Sequence, residues 1–160
     1  MVSTLSCNRM RRFLLLAACF ALYCLMASAA PRNITIYNVR EYGAVGDGNA
    51  DDSTAIQLAF NAALLVPAAT VYFPGGRYLI TKTISAPRAR FMTVAGDGFG
   101  STLVWASNAN LLNFQTDPTS LLIRDLRIVS SGQTKSRESF AIRADGMVRS
   151  LISNILIEQE

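Results

Sequence analysis

The side chains that could do chemistry in this 160-residue chain are carboxylates and arginines, because it contains no histidine. That removes His-based triads, His metal ligands and His general bases. Any acid–base chemistry would instead have to rest on carboxyl groups, one to give a proton and one to take it or to attack. Asp117, Asp125 and Asp145 are the mid-chain acids considered for this role, and each stands alone in the sequence. The other dense acidic feature is DGNADD, Asp47 to Asp52. Asp47, Asn49 and Asp51 match the first three ligand positions of an EF-hand loop. The match then fails, with Asp52 where glycine is needed and Leu58 where the closing glutamate should be.

A structural reading accounts for more of this loop. Asp47-Gly48 is a turn dipeptide. Asn49, Asp51 or Asp52 can cap a helix, and their charge suits the positive end of its dipole. Ile56, Ala59, Phe60, Ala63 and Leu64 then recur at helical spacing, with Gln57 and Asn61 as a narrow polar stripe and Pro67 as the stop. A helix this apolar covers a hydrophobic surface.

Downstream the pattern turns to β. Val71-Tyr72-Phe73 and Tyr78-Leu79-Ile80 read as short strands around a Pro-Gly-Gly turn. Three segments then align at an offset of 29 residues: MTVAG from Met92, LLIRD from Leu121 and SLISN from Ser150. Each places a β-branched residue (Val94, Ile123, Ile152) two before Gly96, Asp125 or Asn154, residue types that tolerate left-handed backbone. Further apolar runs lie between the copies, at Leu103–Trp105, Leu111–Phe114 and Phe140–Ile142. A period in this range, with short strands and sharp turns, predicts an all-β fold, a right-handed parallel β-helix of about three coils. A β-sandwich with accidental spacing is the alternative. The apolar helix favours the solenoid, whose end needs a cover, so an N-terminal capping α-helix is expected.

Residues 1–30 carry a basic start, the apolar run Phe13–Met26 and a small-residue Ala27-Ser28-Ala29 site, which is the pattern of a secretory signal peptide. The competing readings are a retained anchor and lipidation at Cys19. Cleavage would remove all three cysteines (Cys7, Cys19, Cys24) and three of the fifteen Lys/Arg, leaving twelve basic against eleven acidic side chains. The basic pI is then a property of the leader, and nucleic acid is not an expected partner. The expectation is a secreted, extracellular protein, residues 31–160, with no membrane association after cleavage. Asn33-Ile34-Thr35 is an N-glycosylation sequon.

VREYGAVGDGNADDSTAIQLAFNAA, Val39 to Ala63, resembles the opening of the pectate-lyase-like β-helix superfamily, and most closely its rhamnogalacturonase/epimerase-like pectate lyase domain. VYFPGGRYLI and VAGDGFGSTLV are similar to the segments that follow. The resemblance covers residues 36–105 with specific motifs and the remainder in coil-like character only. It implies a protein acting on acidic polysaccharide, pectin-like or alginate-like, as a lyase, hydrolase or C5-epimerase. A non-catalytic carbohydrate-binding or attachment module is the alternative. Calcium is implied only by the resemblance. No catalytic or metal-ligating residue carries over, since the Asp pairs and the His-Gly of the hydrolase pattern are missing.

Against a uronate chain, arginines would neutralise the carboxylates. Arg124, Arg127, Arg143 and Arg149 lie in or beside coil segments; Arg124 and Arg127 are the substrate-binding candidates, with a solvated outer face as the alternative. Asp125 also reads as a turn former. Trp105, Phe99 and Tyr78 could stack on sugar rings, with core packing as their default. The third copy runs into Glu158-Gln159-Glu160 with no second helix after it. This leads to the expectation of a truncated product, inactive alone, that self-associates through an open solenoid end.

Overall fold

The structure is a computed structural model that describes residues 34–115, 118–132 and 138–159. The leader and the Asn33 position of the sequon lie outside the described residues. Every ladder is parallel, and the chain winds through three faces in turn. The first face stacks β1 (Ile36–Asn38), β3 (Thr70–Phe73), β6 (Thr93–Gly96) and the start of β9 (Leu122–Ser130), followed by the start of β11 (Leu151–Gln159). The second stacks β2 (Asp47–Asp51), β4 (Gly76–Ile80), β7 (Ser101–Trp105) and the far ends of β9 and β11. The third stacks β5 (Ile84–Ser85), β8 (Leu112–Phe114) and β10 (Ile142–Ala144). This is a right-handed parallel β-helix.

The offset of 29 is the register of the first face. Val94 pairs with Ile123, and Ile123 with Ile152. Inward residues at alternate positions form one apolar column through Val71, Phe73, Tyr78, Leu103, Phe114, Ile123 and Ile128, each fully buried. The two strands around Pro74 do not pair with each other: β3 goes to the first face and β4 to the second. The turn between them is a solenoid corner.

The corners hold the costly backbone. Asp125 (φ 60°) and Asn154 (φ 51°) are left-handed, and Asn154 Nδ2 donates to Asp125 Oδ1 at 2.7 Å. Gly96, the third member of that set, is not left-handed. An added Cβ there would lie 2.6 Å from the Asp125 carbonyl oxygen, so glycine is needed for close approach. A second left-handed column, which the sequence does not signal, runs through Ala68, Phe91, Ser120 and Arg149, each two residues before a first-face strand.

The helix α1 (Ser53–Ala63) occupies the place that a third-face strand would take in the first coil. Ile56, Ala59, Phe60 and Ala63 are buried, and the Phe60 ring lies 6.3 Å from that of Phe114. Gln57 is not simply part of a polar stripe. Its amide donates to Ser85 O at 2.9 Å and accepts from Ser85 N at 2.8 Å, closing the free edge of β5 as another strand would. No helix among the described residues is long and apolar enough to cross a membrane. At the other end, β11 pairs with β9 alone among the described strands, and Leu151, Ile152 and Ile157 are exposed.

Candidate functional site

The acidic loop is bonded internally. Asp47 Oδ1 accepts from the N–H groups of Asn49 and Ala50 at 2.8 and 2.9 Å, which lowers its pKa. Asp51 accepts from Ser53 N, Ser53 Oγ and Thr81 Oγ1 at 3.0, 2.5 and 2.7 Å. Desolvation pushes the Asp51 carboxyl up, but these bonds outweigh it and bring the pKa down from 3.8 to about 2. Asp52 holds the N-cap position without making a cap bond, because its backbone is already helical (φ −84°, ψ −2°). Its carboxylate turns back instead to the N–H groups of Val45 and Gly46 at 2.7 and 3.1 Å. Of the three residues expected to cap the helix, Asp51 accepts the N–H of its first residue, Ser53, while Asp52 clamps the preceding turn. Both carboxylate oxygens of Asp51 and of Asp52 are thus engaged by N–H and O–H donors of the chain itself.

Arg124 and Arg127 do not share a face. Arg124 points outward from the first face, its side chain 48% exposed and ion-paired with Asp125. Three residues on, beyond the left-handed corner, Arg127 belongs to the second face, where its Nε and Nη2 both donate to Glu158 Oε2, at 2.8 and 2.5 Å. Asp125 is held ionised first by the bond from Asn154 and then by Arg124, both lowering its pKa. Arg143 pairs with Asp145 at 3.3 Å on the third-face side, and Arg149 is exposed at its corner. Asp117 lies outside the described residues. Tyr78 and Trp105 are core residues: Tyr78 is fully buried with its hydroxyl on Pro74 O at 2.7 Å, and Trp105 donates to Ala109 O at 2.9 Å. Phe99 is half exposed.

A groove of 430 Å³ lies on the outside of the first face, lined in part by Ile36, Thr70, Tyr72, Asp97 and Arg124. Tyr72, Ala95 and Arg124 are register partners across β3, β6 and β9, which puts the ring and the guanidinium on either side of a small floor residue. Parallel strands stack about 4.8 Å apart, so the two side chains start roughly 10 Å apart along the solenoid axis. The Tyr72 hydroxyl donates to Asp97 Oδ1 at 2.6 Å, and Asp97 Oδ2 accepts from Gly75 N at 3.0 Å. The Tyr72 pKa is raised, chiefly by that bond to Asp97, so the phenol keeps its proton. Tyr72 and Asp97 were not candidates from sequence. Tyr72 sits inside a continuous apolar run, and only its place between the inward Val71 and Phe73 marks it as outward-facing.

Geometrically this surface can hold a ring against Tyr72 and an anion against Arg124. Within it Asp125 stays ionised and Tyr72 keeps its proton.

The family model described as rhamnogalacturonase A/epimerase, pectate lyase-like matches residues 36–158. A mannuronan C5-epimerase of Azotobacter vinelandii, AlgE1, is 38% identical over 74 residues, 43% of this chain and 5% of its own length. Among solved structures, PfbA, a surface adhesin of Streptococcus pneumoniae, is similar with a TM-score of 0.61 at 22% identity, over 77% of this chain and 33% of its own. The A-module of the A. vinelandii mannuronan C-5 epimerase AlgE6 is similar with a TM-score of 0.57 at 22% identity, over 76% of this chain and 37% of its own. The chain thus spans a small part of the curated relatives it matches, and at these identities the structural likenesses carry the fold. Combined with the register of the solenoid and its helical lid, the match places the chain in the rhamnogalacturonase A/epimerase, pectate lyase-like family, among polysaccharide-related parallel β-helix domains.

Proposed function

We propose that this chain is the recognition portion of a secreted polysaccharide-active protein and binds an acidic polysaccharide along the outside of its first face. The observation that carries the reading is the outward row Tyr72, Ala95, Arg124, in register on three successive strands. An aromatic ring and a guanidinium separated by a small residue suit a chain of sugar rings that bear carboxylates. The ring packs on the apolar face of one sugar and the guanidinium meets the carboxylate of a neighbour. Asp97 fixes the ring and Asp125 fixes the guanidinium, so little side-chain freedom is lost on binding. The reading assigns this surface ligand recognition and gives no residue here a catalytic role. The relative named as a mannuronan epimerase makes oligomannuronate the first probe, with oligogalacturonate the second.

The test is calorimetric titration of the exported chain with oligomannuronate, oligogalacturonate and a neutral glucan of similar length. Acidic chains are expected to bind, with affinity falling as salt rises. Arg124→Ala should weaken binding roughly tenfold, as expected for loss of one charge-assisted hydrogen bond. Tyr72→Ala should weaken acidic chains regardless of which uronate they carry. Equal binding of the neutral glucan, or no effect of Arg124→Ala, would overturn the reading.

A further inference from the structure

A second groove, of 280 Å³, opens at the corner between the third and first faces, beside the C-terminal end of α1. Leu65 and Pro67 form one wall, and Arg88, Arg90 and Phe91 the other. Leu65 is 84% exposed and Phe91 57%. Arg88 and Arg90 are exposed and make no side-chain ion pair or hydrogen bond among the described residues, unlike Arg124, Arg127 and Arg143.

This corner is built and pinned. Arg88 (φ 58°) and Phe91 (φ 53°) are left-handed, a conformation that bulky side chains rarely adopt. The next coil holds them there. Arg88 N donates to Gln115 O at 3.0 Å, Phe91 N to Thr119 O at 2.8 Å, and Thr119 N to Ala89 O at 3.0 Å. Ala89 is buried between the two arginines, so both neighbours are turned outward together. Backbone strain of this kind persists only where its surroundings impose it. Here it sets two unpaired cations and a bare aromatic ring on one rigid edge, facing an apolar wall.

We propose that this corner is a second binding site for an acidic polysaccharide, separate from the first-face groove. The cations fit carboxylates, while Phe91 and Pro67 offer flat apolar surface to the C–H faces of sugar rings. The ligand class rests on the function proposed above, but the site does not share a residue with it. A chain long enough to engage both sites gains avidity over a short one.

The experiment compares short and long oligogalacturonates on the full exported chain, on an Arg88→Gln/Arg90→Gln variant and on Arg124→Ala. The double variant should lose roughly fivefold to tenfold in affinity for the long chain and keep its affinity for the short one. Arg124→Ala should weaken both. Because the double variant could unfold, a second readout uses the unaltered chain. Modification of arginines by phenylglyoxal, located by mass spectrometry, should be suppressed by the long chain at Arg88 and Arg90. If long chains neither protect these residues nor lose affinity in the double variant while Arg124→Ala still weakens binding, the corner site is refuted and the first-face reading stands. If Arg124→Ala has no effect but the corner is protected, the first-face reading falls and the corner site remains. Equal protection by an oligodeoxynucleotide would also overturn the assignment, reducing the corner to an unselective polyanion contact.

Discussion

Replacing Gln57 by alanine should unlatch the helical lid from the first third-face strand. In the native fold its amide makes two bonds to the backbone of Ser85, at 2.9 and 2.8 Å, and a third to Asn61 Oδ1 at 2.9 Å. The two strand-edge bonds are part-buried, whereas the Asn61 bond is exposed. A net intramolecular hydrogen bond contributes about 1 kcal/mol, and a backbone donor or acceptor left half-buried without a partner adds to the loss. The gain in helix propensity from alanine returns a few tenths of a kcal/mol. The expected loss is about 2 kcal/mol, or roughly 6–8 °C in Tm for a domain of this size. Asn61→Ala is the control and should cost less than about 0.5 kcal/mol, since water replaces the exposed bond. Gln57→Glu keeps the acceptor for Ser85 N but sets a carboxylate against Ser85 O, so it should be no better than alanine. Urea denaturation, read by circular dichroism with the slope m held as a check on two-state behaviour, gives all three values. A Gln57→Ala protein within about 0.5 kcal/mol of the parent, or one matched by Asn61→Ala, would show that the amide is not an edge cap.

The corner geometry predicts a contrast between two glycines. Gly96→Ala should destabilise by about 1–3 kcal/mol because its Cβ would meet a backbone oxygen, whereas Gly100→Ala, which opens on empty space, should be close to neutral; thermal melts of the two variants read the difference. Asp51 predicts an acid limb. Its folded pKa lies below its unfolded value, so its contribution is present above about pH 4 and is lost as pH falls through about 2. Asp51→Asn should flatten stability against pH in that window, and an unchanged acid limb would refute it.

Much of the fold could be read from the sequence because a solenoid repeats its constraints. The offset between Val94, Ile123 and Ile152 is the ladder register itself, and the helix was marked by Ile56, Ala59, Phe60 and Ala63. Asp125 and Asn154 announced left-handed corners through their residue types. Phe91, Ser120 and Arg149 form an equally regular column at the same offset, yet none is of a type that signals such backbone. There the neighbouring coil imposes the turn, and local preference is overridden. Gly96 was grouped with Asp125 and Asn154 as a type that tolerates such backbone, yet here it supplies missing bulk: a glycine reports either backbone freedom or close approach, and sequence does not distinguish them. Arg124 and Arg127 were identified as candidates, but a single corner residue between them sends them to different faces. The groove escaped because outward Tyr72 is flanked by two inward apolar residues, so alternation was hidden by hydrophobicity on both sides.

The helical lid also gives the molecule a direction in time. Each strand of the first face finds its partner a single turn of the solenoid earlier in the chain, as Val71 does for Val94 and Val94 for Ile123. Among the described strands no pairing waits for a distant segment, so the search cost of each closure stays that of one coil. During synthesis the lid and the first strands emerge before anything that stacks on them. The buried side of α1 then serves as a template, and every completed turn becomes the template for the next. A defect at the lid, such as loss of the Gln57 latch, should therefore slow assembly of the whole solenoid, while a defect in β11 should leave the earlier turns to form at their normal rate.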